Sequence, residues 1–509
     1  MRILYLDLDS CRPDHLGCYG YHRNTSPHID AIARQAMIFN GCHTSDAPCL
    51  PSRTALYSGR FGIHTGVVGH GGTAASPKNE GPRRDFSDSF VRQGLARQLQ
   101  RLGLHTAMIS PFGQRHGAHW FYAGFNEIHN SGGGGVESAG DVWPSIETWL
   151  DHKASADNWF LHVNFWDIHT PYRVPLDYGE PFADAPLPPW LEAGAEAIIA
   201  RHNRLTGPHS SLDLDMYGDR ENPAFPRSPG AIRNRHDLRR VFNGYDTGIR
   251  YVDDHVGRIV AKLKAAGLYD DTAIIISADH GENLGELGLY SEHGTADAAT
   301  CRVPLIIKWP GGSQGVNSKF HYNIDLAPTL MELLGGEHQP LWDGASFAPA
   351  VRTGDASAGR DEIVFSQCAH VCQRAVRWEN WLYLRTYHDG FHLFPQEILF
   401  DLARDPHEQN DLAAQHPGLL REGAWRLARW HDAQMQRMAL HSDDVTDPLW
   451  TVIREGGPFH ARLIHPGNPG GPEEFNHYLT RLEATGRADG AAVLRDRYLT
   501  RTVSFPDTP

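Results

Sequence analysis

Four stretches of this chain place chemically capable side chains directly after apolar runs. In RILYLDLD, Asp7 and Asp9 stand two apart, so a strand points both carboxylates to one side. Two acids on one face of a buried strand repel unless a cation lies between them. TAIIISADH ends on Asp279 and His280, and carboxylates from two strand tips suit a hard cation such as Ca²⁺ or Mg²⁺. WFLHVNFWDIHTPY delivers Asp167 and His169, and HTAMISPFGQRH delivers Arg115 and His116. The chain has 31 histidines, so these two gain weight only from sharing strand ends with Asp9 and Asp279. A helix-capping aspartate and a satisfied core histidine are the plain alternatives. A fifth stretch, DAPCLPSRTALYSGR, sets Cys49 and Arg53 one helical turn apart, facing one site.

The elements that must hold these residues alternate in type. RILYLDLD reads as a buried strand, and SPHIDAIARQAM as a helix with Ser26 at its N-cap and Pro27 at its first position. SRTALYSG and GLARQLQRLG read as helices, HTAMIS and WFLHVNFWD as strands, and WPSIETWLDHK as a helix. A long helix over GYDTGIRYVDDHVGRIVAKLKAAG precedes the strand TAIIISADH, and VPLIIKW and IDLAPTLMELLG add a strand and a helix. Alternation of this kind predicts an α/β sheet covered on both faces, with ligands beyond the carboxyl ends of its strands. From Asp361 the pattern changes: DEIVFSQ, AVRWENWLYLRTY and EILFDLARDP read as strands of an antiparallel sheet, before a helix through LLREGAWRLARWHDAQMQRM. The expected division is a catalytic domain over 1–360, with an insertion at about 176–235, and a smaller domain over 361–509 whose tail after Asp443 has no readable pattern.

At 509 residues the chain suits two packed domains. A formal charge of -14 without a basic stripe argues against nucleic-acid and anionic-membrane partners. It leaves room for an anionic substrate in a locally positive pocket. The seven cysteines include no C-x-x-C pair, so neither a disulfide scaffold nor a zinc ribbon is indicated. MRILYLDLDS reads as a strand rather than a leader, and no apolar run reaches bilayer length, so a cytoplasmic location is expected.

CLPSRTALYSGR resembles the C-x-P-S-R signature of type I sulfatases, in the alkaline phosphatase superfamily. LDSCRPDHLGCYGY, SPHIDAIARQAMIFNGCHT, SADHGE, RVPLIIKWPGG, IDLAPTLMELLGG and LFDLARDPHEQNDLA are similar to further blocks of that family, in its order, through about residue 415. The resemblance implies an alkaline-phosphatase-like mixed sheet sandwiched by helices, with a smaller C-terminal antiparallel sheet. It implies that Cys49 is oxidised to formylglycine by a formylglycine-generating enzyme, which reads the Pro-Ser-Arg that follows. It implies Ca²⁺, with Mg²⁺ or Mn²⁺ as substitutes, held by Asp9, Asp279, His280 and position 49. Relatives often carry adjacent aspartates in the first block, whereas the second acid here is Asp7, so Asp9 is the firmer ligand and Asp7 an additional one.

By the same resemblance Arg53 holds the nucleophile hydroxyl and the metal end, His116 works on the formylglycine, and His169 meets the leaving-group oxygen. Relatives often have lysine where this chain has Gln114 and His293, both assigned to substrate contact; these departures remove fixed positive charge near the sulfuryl group. The implied reaction is hydrolysis of a sulfate monoester, from a small molecule or a carbohydrate. It needs a clamp for the equatorial oxygens, an aligned nucleophile and a proton for the departing oxygen. A hydrated aldehyde carries two hydroxyls on one carbon, one to attack sulfur and one whose deprotonation later expels sulfate. The alternatives are a phosphonate monoester or phosphodiester hydrolase of the same superfamily and a non-catalytic binder of sulfated ligands.

Overall fold

The computed structural model describes residues 1–80, 88–204, 209–215, 218–442, 444–459 and 470–500. Asp443, two short parts of the 176–235 segment and two parts of the tail therefore lie outside the described residues.

The apolar runs form an eight-stranded sheet. Its order is Gly315–Tyr322, Met37–His43, Leu305–Lys308, Thr272–Ser277, Arg2–Leu8, Trp159–Phe165, His105–Ile109 and Glu127–His129. Arg2–Leu8 lies at the centre, parallel to both neighbours, and only Arg2 along it is not buried. His105–Ile109 continues the parallel set beyond Trp159–Phe165. Five parallel strands, Glu127–His129 being the fifth, thus end on one edge, and Asp9, Arg115, Asp167, His169, Asp279 and His280 follow four of those ends. Leu305–Lys308 runs antiparallel to both its neighbours, which makes the sheet mixed.

A second sheet has the order Glu397–Asp401, Trp381–His388, Cys372–Trp378, Glu362–Gln367 and Asp46–Ala47. The stretch AVRWENWLYLRTY, expected as one strand, is a hairpin that turns at Glu379 and Asn380, where Trp378 pairs with Trp381. Glu379 takes a left-handed φ of 47° to close it. Asp46–Ala47 joins this sheet in parallel with Ser366 and Gln367. The smaller sheet thereby fixes the backbone two residues before Cys49.

Local details differ from the sequence reading for identifiable reasons. The first helix spans only Pro27–Ala33, and Met37 already opens a strand. Ser26 does not cap it: the Asp253 carboxylate, from the long helix Arg235–Ala265, accepts the His28 and Ile29 N–H groups at 3.0 and 2.8 Å. Ser26 Oγ instead accepts from Gly17 N and donates to Asp30. Among its described residues the tail contains three α-helices, Pro448–Arg454, Gly471–Ala484 and Ala488–Arg495. Pro448–Arg454 is fastened to the second sheet by Asp447, which accepts both Arg374 guanidinium ends at 2.8 Å and also caps the helix through Leu449 N.

Burial opposes ionisation of Asp447, yet Arg374 and His431 hold its carboxyl well below the usual range. Its stabilising effect is therefore full above the unfolded carboxylate range and fades as pH falls through the lowered folded value. Asp447→Ala is expected to destabilise the protein by about 3–5 kcal/mol at neutral pH, because it strands a buried guanidinium. Urea unfolding at pH 7 checks this, and a parallel series toward acid should show the difference from wild type shrinking.

Candidate active site

Cys49 opens the helix Cys49–Ser58, three residues earlier than the sequence pattern suggests. Pro51 sits in its first turn, where a missing N–H costs nothing. All ten residues are buried. Ser52 donates from Oγ to the Asp279 carbonyl at 2.7 Å, tying this helix to the strand end that carries Asp279 and His280. Gly281 follows them because its Cα runs against the Ala299 carbonyl, which a Cβ would meet at 2.0 Å.

Four donor groups converge there. Ligand atoms of Asp9, Cys49, Asp279 and His280 all lie within 4.8 Å of one another, and all four residues are buried. His280 donates Nδ1–H to the Gly281 carbonyl at 2.7 Å, which leaves the Nε2 lone pair facing Cys49 Sγ at 3.0 Å. Asp279 Oδ1 accepts from the N–H groups of Ser10 and His280. Burial, then the Asp9 and Asp279 carboxylates, push the Cys49 thiol well above its ordinary range, so it stays protonated. An unmodified Cys49 is thus a poor nucleophile.

Arg53 lies on the inner side of this group. Its Nε donates to Asp7 Oδ2 at 2.7 Å, one terminal nitrogen to Asp9 Oδ2 at 2.9 Å, and the other stands 2.7 Å from Asp279 Oδ2. The two-residue spacing of Asp7 and Asp9 does bring both to one side, but they meet a guanidinium there. Asp7 is not among the four converging groups. It lies one step deeper along the strand, also 3.2 Å from His162 Nε2, whose Nδ1 pairs with Tyr57 Oη at 2.7 Å. Burial works against the Asp7 and Asp9 carboxylates, but Arg53 holds both below the usual range. Asp279 is instead pushed up to about 6 by burial and by Asp9, despite Arg53. Three buried carboxylates around one guanidinium leave negative charge in excess, and oxygen donors beside a free imidazole nitrogen fit a hard divalent cation.

The remaining predicted residues are placed unevenly. The His293 ring stacks on His280 with centroids 4.7 Å apart and lies 4.8 Å from His169. His169 donates Nδ1–H to the Thr170 carbonyl at 2.5 Å, and burial pushes its pKa down to about 3. His116, half-buried, packs on Phe112, and burial followed by Arg115 and Arg53 also lowers it to about 3. Gln114 points elsewhere: it is exposed and accepts a hydrogen bond from Asn130. Asp167 is structural, capping the helix Ala139–Lys153 through Ala139 N at 2.8 Å.

Sequence reasoning missed three neighbours. His70 accepts the Leu50 N–H at 3.3 Å and faces the His116 ring at 5.1 Å. Arg173, four residues past His169, has two buried guanidinium nitrogens without hydrogen bonds among the described residues, and burial and Arg115 depress it to about 10. Its place in the same post-strand loop as His169 was the available signal. Trp166 is the third, with the Arg53 and Arg115 guanidiniums 5.4 and 4.7 Å from its ring.

Comparison with known proteins bears on the family of this chain. The sulfatase family model matches residues 2–336, and the model for the C-terminal part of N-sulphoglucosamine sulphohydrolase matches 285–418. The multifunctional alkaline phosphatase superfamily protein PehA of Trinickia caryophylli is 28% identical over 55% of this chain and 57% of its own length, so the match spans little more than half of that relative. The choline-sulfatase of Rhizobium meliloti is 25% identical over 77% of this chain and 78% of its own. The phosphonate monoester hydrolase of Agrobacterium radiobacter superimposes with a TM-score of 0.62 at 21% identity, covering 85% of this chain and 95% of that one, a likeness of fold. With the family pattern running from the first strand through the helix after the mixed sheet, this chain belongs to the sulfatase family.

Proposed function

We propose that this chain hydrolyses sulfate monoesters, with Cys49 oxidised to formylglycine by a separate maturation enzyme. One divalent cation, Ca²⁺ or in its place Mg²⁺ or Mn²⁺, is held by Asp9, Asp279, His280 and position 49. The observation that carries this reading is the convergence of those four groups at the start of a buried helix. The aldehyde hydrate supplies a hydroxyl nucleophile and the cation supplies charge to the sulfuryl oxygens.

The chain's own residues do the rest. Arg53 locks the carboxylates in place through three contacts. Arg115 and Arg173 bring positive charge to the same region, where relatives often use the lysines that Gln114 and His293 replace. With Nδ1–H committed to Thr170, His169 can carry a second proton only on Nε2. A bound anionic ester favours that protonated ring, which can then protonate the departing oxygen. His169→Ala is therefore expected to slow esters of poor leaving groups by about 10²–10⁴-fold while affecting activated aryl esters little. Equal losses on both, measured as kcat/KM, would reassign His169 to binding.

The two lysine replacements also favour a second reading, hydrolysis of phosphonate monoesters or phosphodiesters, the first being the activity named for the Agrobacterium structure. Parallel assays of the aldehyde-bearing protein on aryl sulfate and aryl phosphonate monoesters decide between them. The sulfatase reading expects the larger kcat/KM on sulfate, and the reverse order overturns it.

A further inference from the structure

A second gathering of metal-type donors lies beyond His293. Ligand atoms of His209, Glu292 and His392 are within 4.8 Å of one another, and these residues are 8%, 6% and 2% exposed. They come from distant parts of the chain: the 176–235 segment, the end of the short strand Tyr290–Glu292, and the loop after Trp381–His388. His209 N donates to the Phe391 carbonyl at 2.8 Å, which holds two of those parts together. Glu292 Oε2 lies 2.9 Å from His209 Nδ1, and Oε1 lies 3.7 Å from His392 Nε2. The two imidazole rings stand at 90°, with centroids 5.2 Å apart.

This grouping is unexpected for a plain core. His209 Nδ1 faces the Glu292 carboxylate, but among the described residues His392 Nδ1 makes no hydrogen bond, although both rings are more than nine-tenths buried. An unpaired buried nitrogen is costly in a folded protein. His370 donates Nδ1–H to Glu292 Oε1 at 2.6 Å, the outer partner that a ligating carboxylate ordinarily has. Ligands at 2.0–2.1 Å from a tetrahedral ion stand about 3.3 Å from each other, between the 2.9 and 3.7 Å found here. A cavity of about 340 Å³, bordered by His209, His392, Arg201 and Phe394, gives an ion a route in.

We propose that His209, Glu292 and His392 form a second metal centre for a borderline divalent cation of the zinc class, with His370 as the outer hydrogen-bond partner. Two imidazoles and one carboxylate suit such an ion better than the oxygen-rich group around Asp9 does. The centre would fasten the 209 segment to the loop at 392. It would also fix Glu292, and with it His293, whose ring lies between His280 and His370 at 4.7 and 5.6 Å.

The test uses full-length Cys49→Ala/Asp279→Ala protein, in which the group around Asp9 has lost two of its four donors, titrated with Zn²⁺ against a chromophoric chelator and separately with Co²⁺. The expected result is uptake of one ion, with visible ligand-field absorption of low-symmetry Co²⁺. Affinity should fall about 10–100-fold with His370→Gln, and further with His392→Ala or Glu292→Gln. The proposal is overturned if the Cys49→Ala/Asp279→Ala protein takes up no ion or if adding His392→Ala leaves uptake unchanged. The Co²⁺ spectrum of the Cys49→Ala/Asp279→Ala protein decides the matter even if a ligand variant fails to fold.

Discussion

Cys49→Ala is expected to lower kcat/KM for an aryl sulfate by about 10⁴- to 10⁶-fold, the scale seen when a catalytic nucleophile is removed. The reason lies in the state of the unmodified side chain. Cys49 is 1% exposed, and burial together with Asp9 and Asp279 keeps its thiol protonated. Its Sγ, 3.0 Å from His280 Nε2, can donate a hydrogen bond but offers little thiolate for attack. Activity should therefore follow the fraction of chains carrying an aldehyde at position 49. Mass spectrometry of the peptide over residues 46–60, read against turnover in preparations made with and without the maturation enzyme, checks this. Cys49→Ser retains one hydroxyl and is expected to turn over at most once, because no second hydroxyl remains to drive release. Turnover independent of the aldehyde fraction, or undiminished in Cys49→Ala, would overturn the assignment and leave the fold untouched.

The sequence exposed the site to the extent that each part is announced by its own neighbours. Asp9, His169 and Asp279 follow apolar runs that can only be buried strands, and parallel strands deliver their ends to one edge. The role of Asp7 was less visible, because a period of two fixes the side a carboxylate faces but not the group that meets it. The contact partner, Arg53, lies 46 residues away from Asp7 on another element. Asp46–Ala47 could not be read as a strand at all: two residues carry no periodicity, and their pairing with Ser366 and Gln367 spans most of the chain. The cap on Pro27–Ala33 was missed for the same reason, since local propensity favours Ser26 while the long helix supplies Asp253. The resemblance to the family places Gln114 at a substrate-contact position, but its side chain is exposed and accepts a hydrogen bond from Asn130. Grouping His209, Glu292 and His392 needed the tertiary fold, because no two of them share a local motif.

Exhaustive chelation is expected to lower turnover by about 10³-fold or more, because a cation at the reacting oxygens is worth several kcal/mol of transition-state stabilisation. The charge balance explains why this protein should also feel the loss in its stability. Asp7, Asp9 and Asp279 are each at most 3% exposed, and Arg53 is the guanidinium they share. At an effective dielectric of about 20, two like charges 4 Å apart repel by about 4 kcal/mol, so a dication there relieves a real strain. Added Ca²⁺ should raise the thermal midpoint of chelated wild type and restore its turnover. Asp279→Ala separates the two effects. Without metal its midpoint should differ little from chelated wild type, since relief from one of three mutually repelling acids is offset by loss of the acceptor for the Ser10 and His280 N–H groups and of one Arg53 contact. With Ca²⁺ it should gain little in midpoint and almost nothing in turnover, because the carboxylate that accepts from Ser10 and His280, and that is proposed to hold the cation, is gone. Calcium-dependent melting of both proteins, with metal content measured on the same samples, checks the argument. Full turnover by wild-type protein shown to hold no metal would remove the cation from the mechanism, and an unchanged calcium response in Asp279→Ala would place it elsewhere.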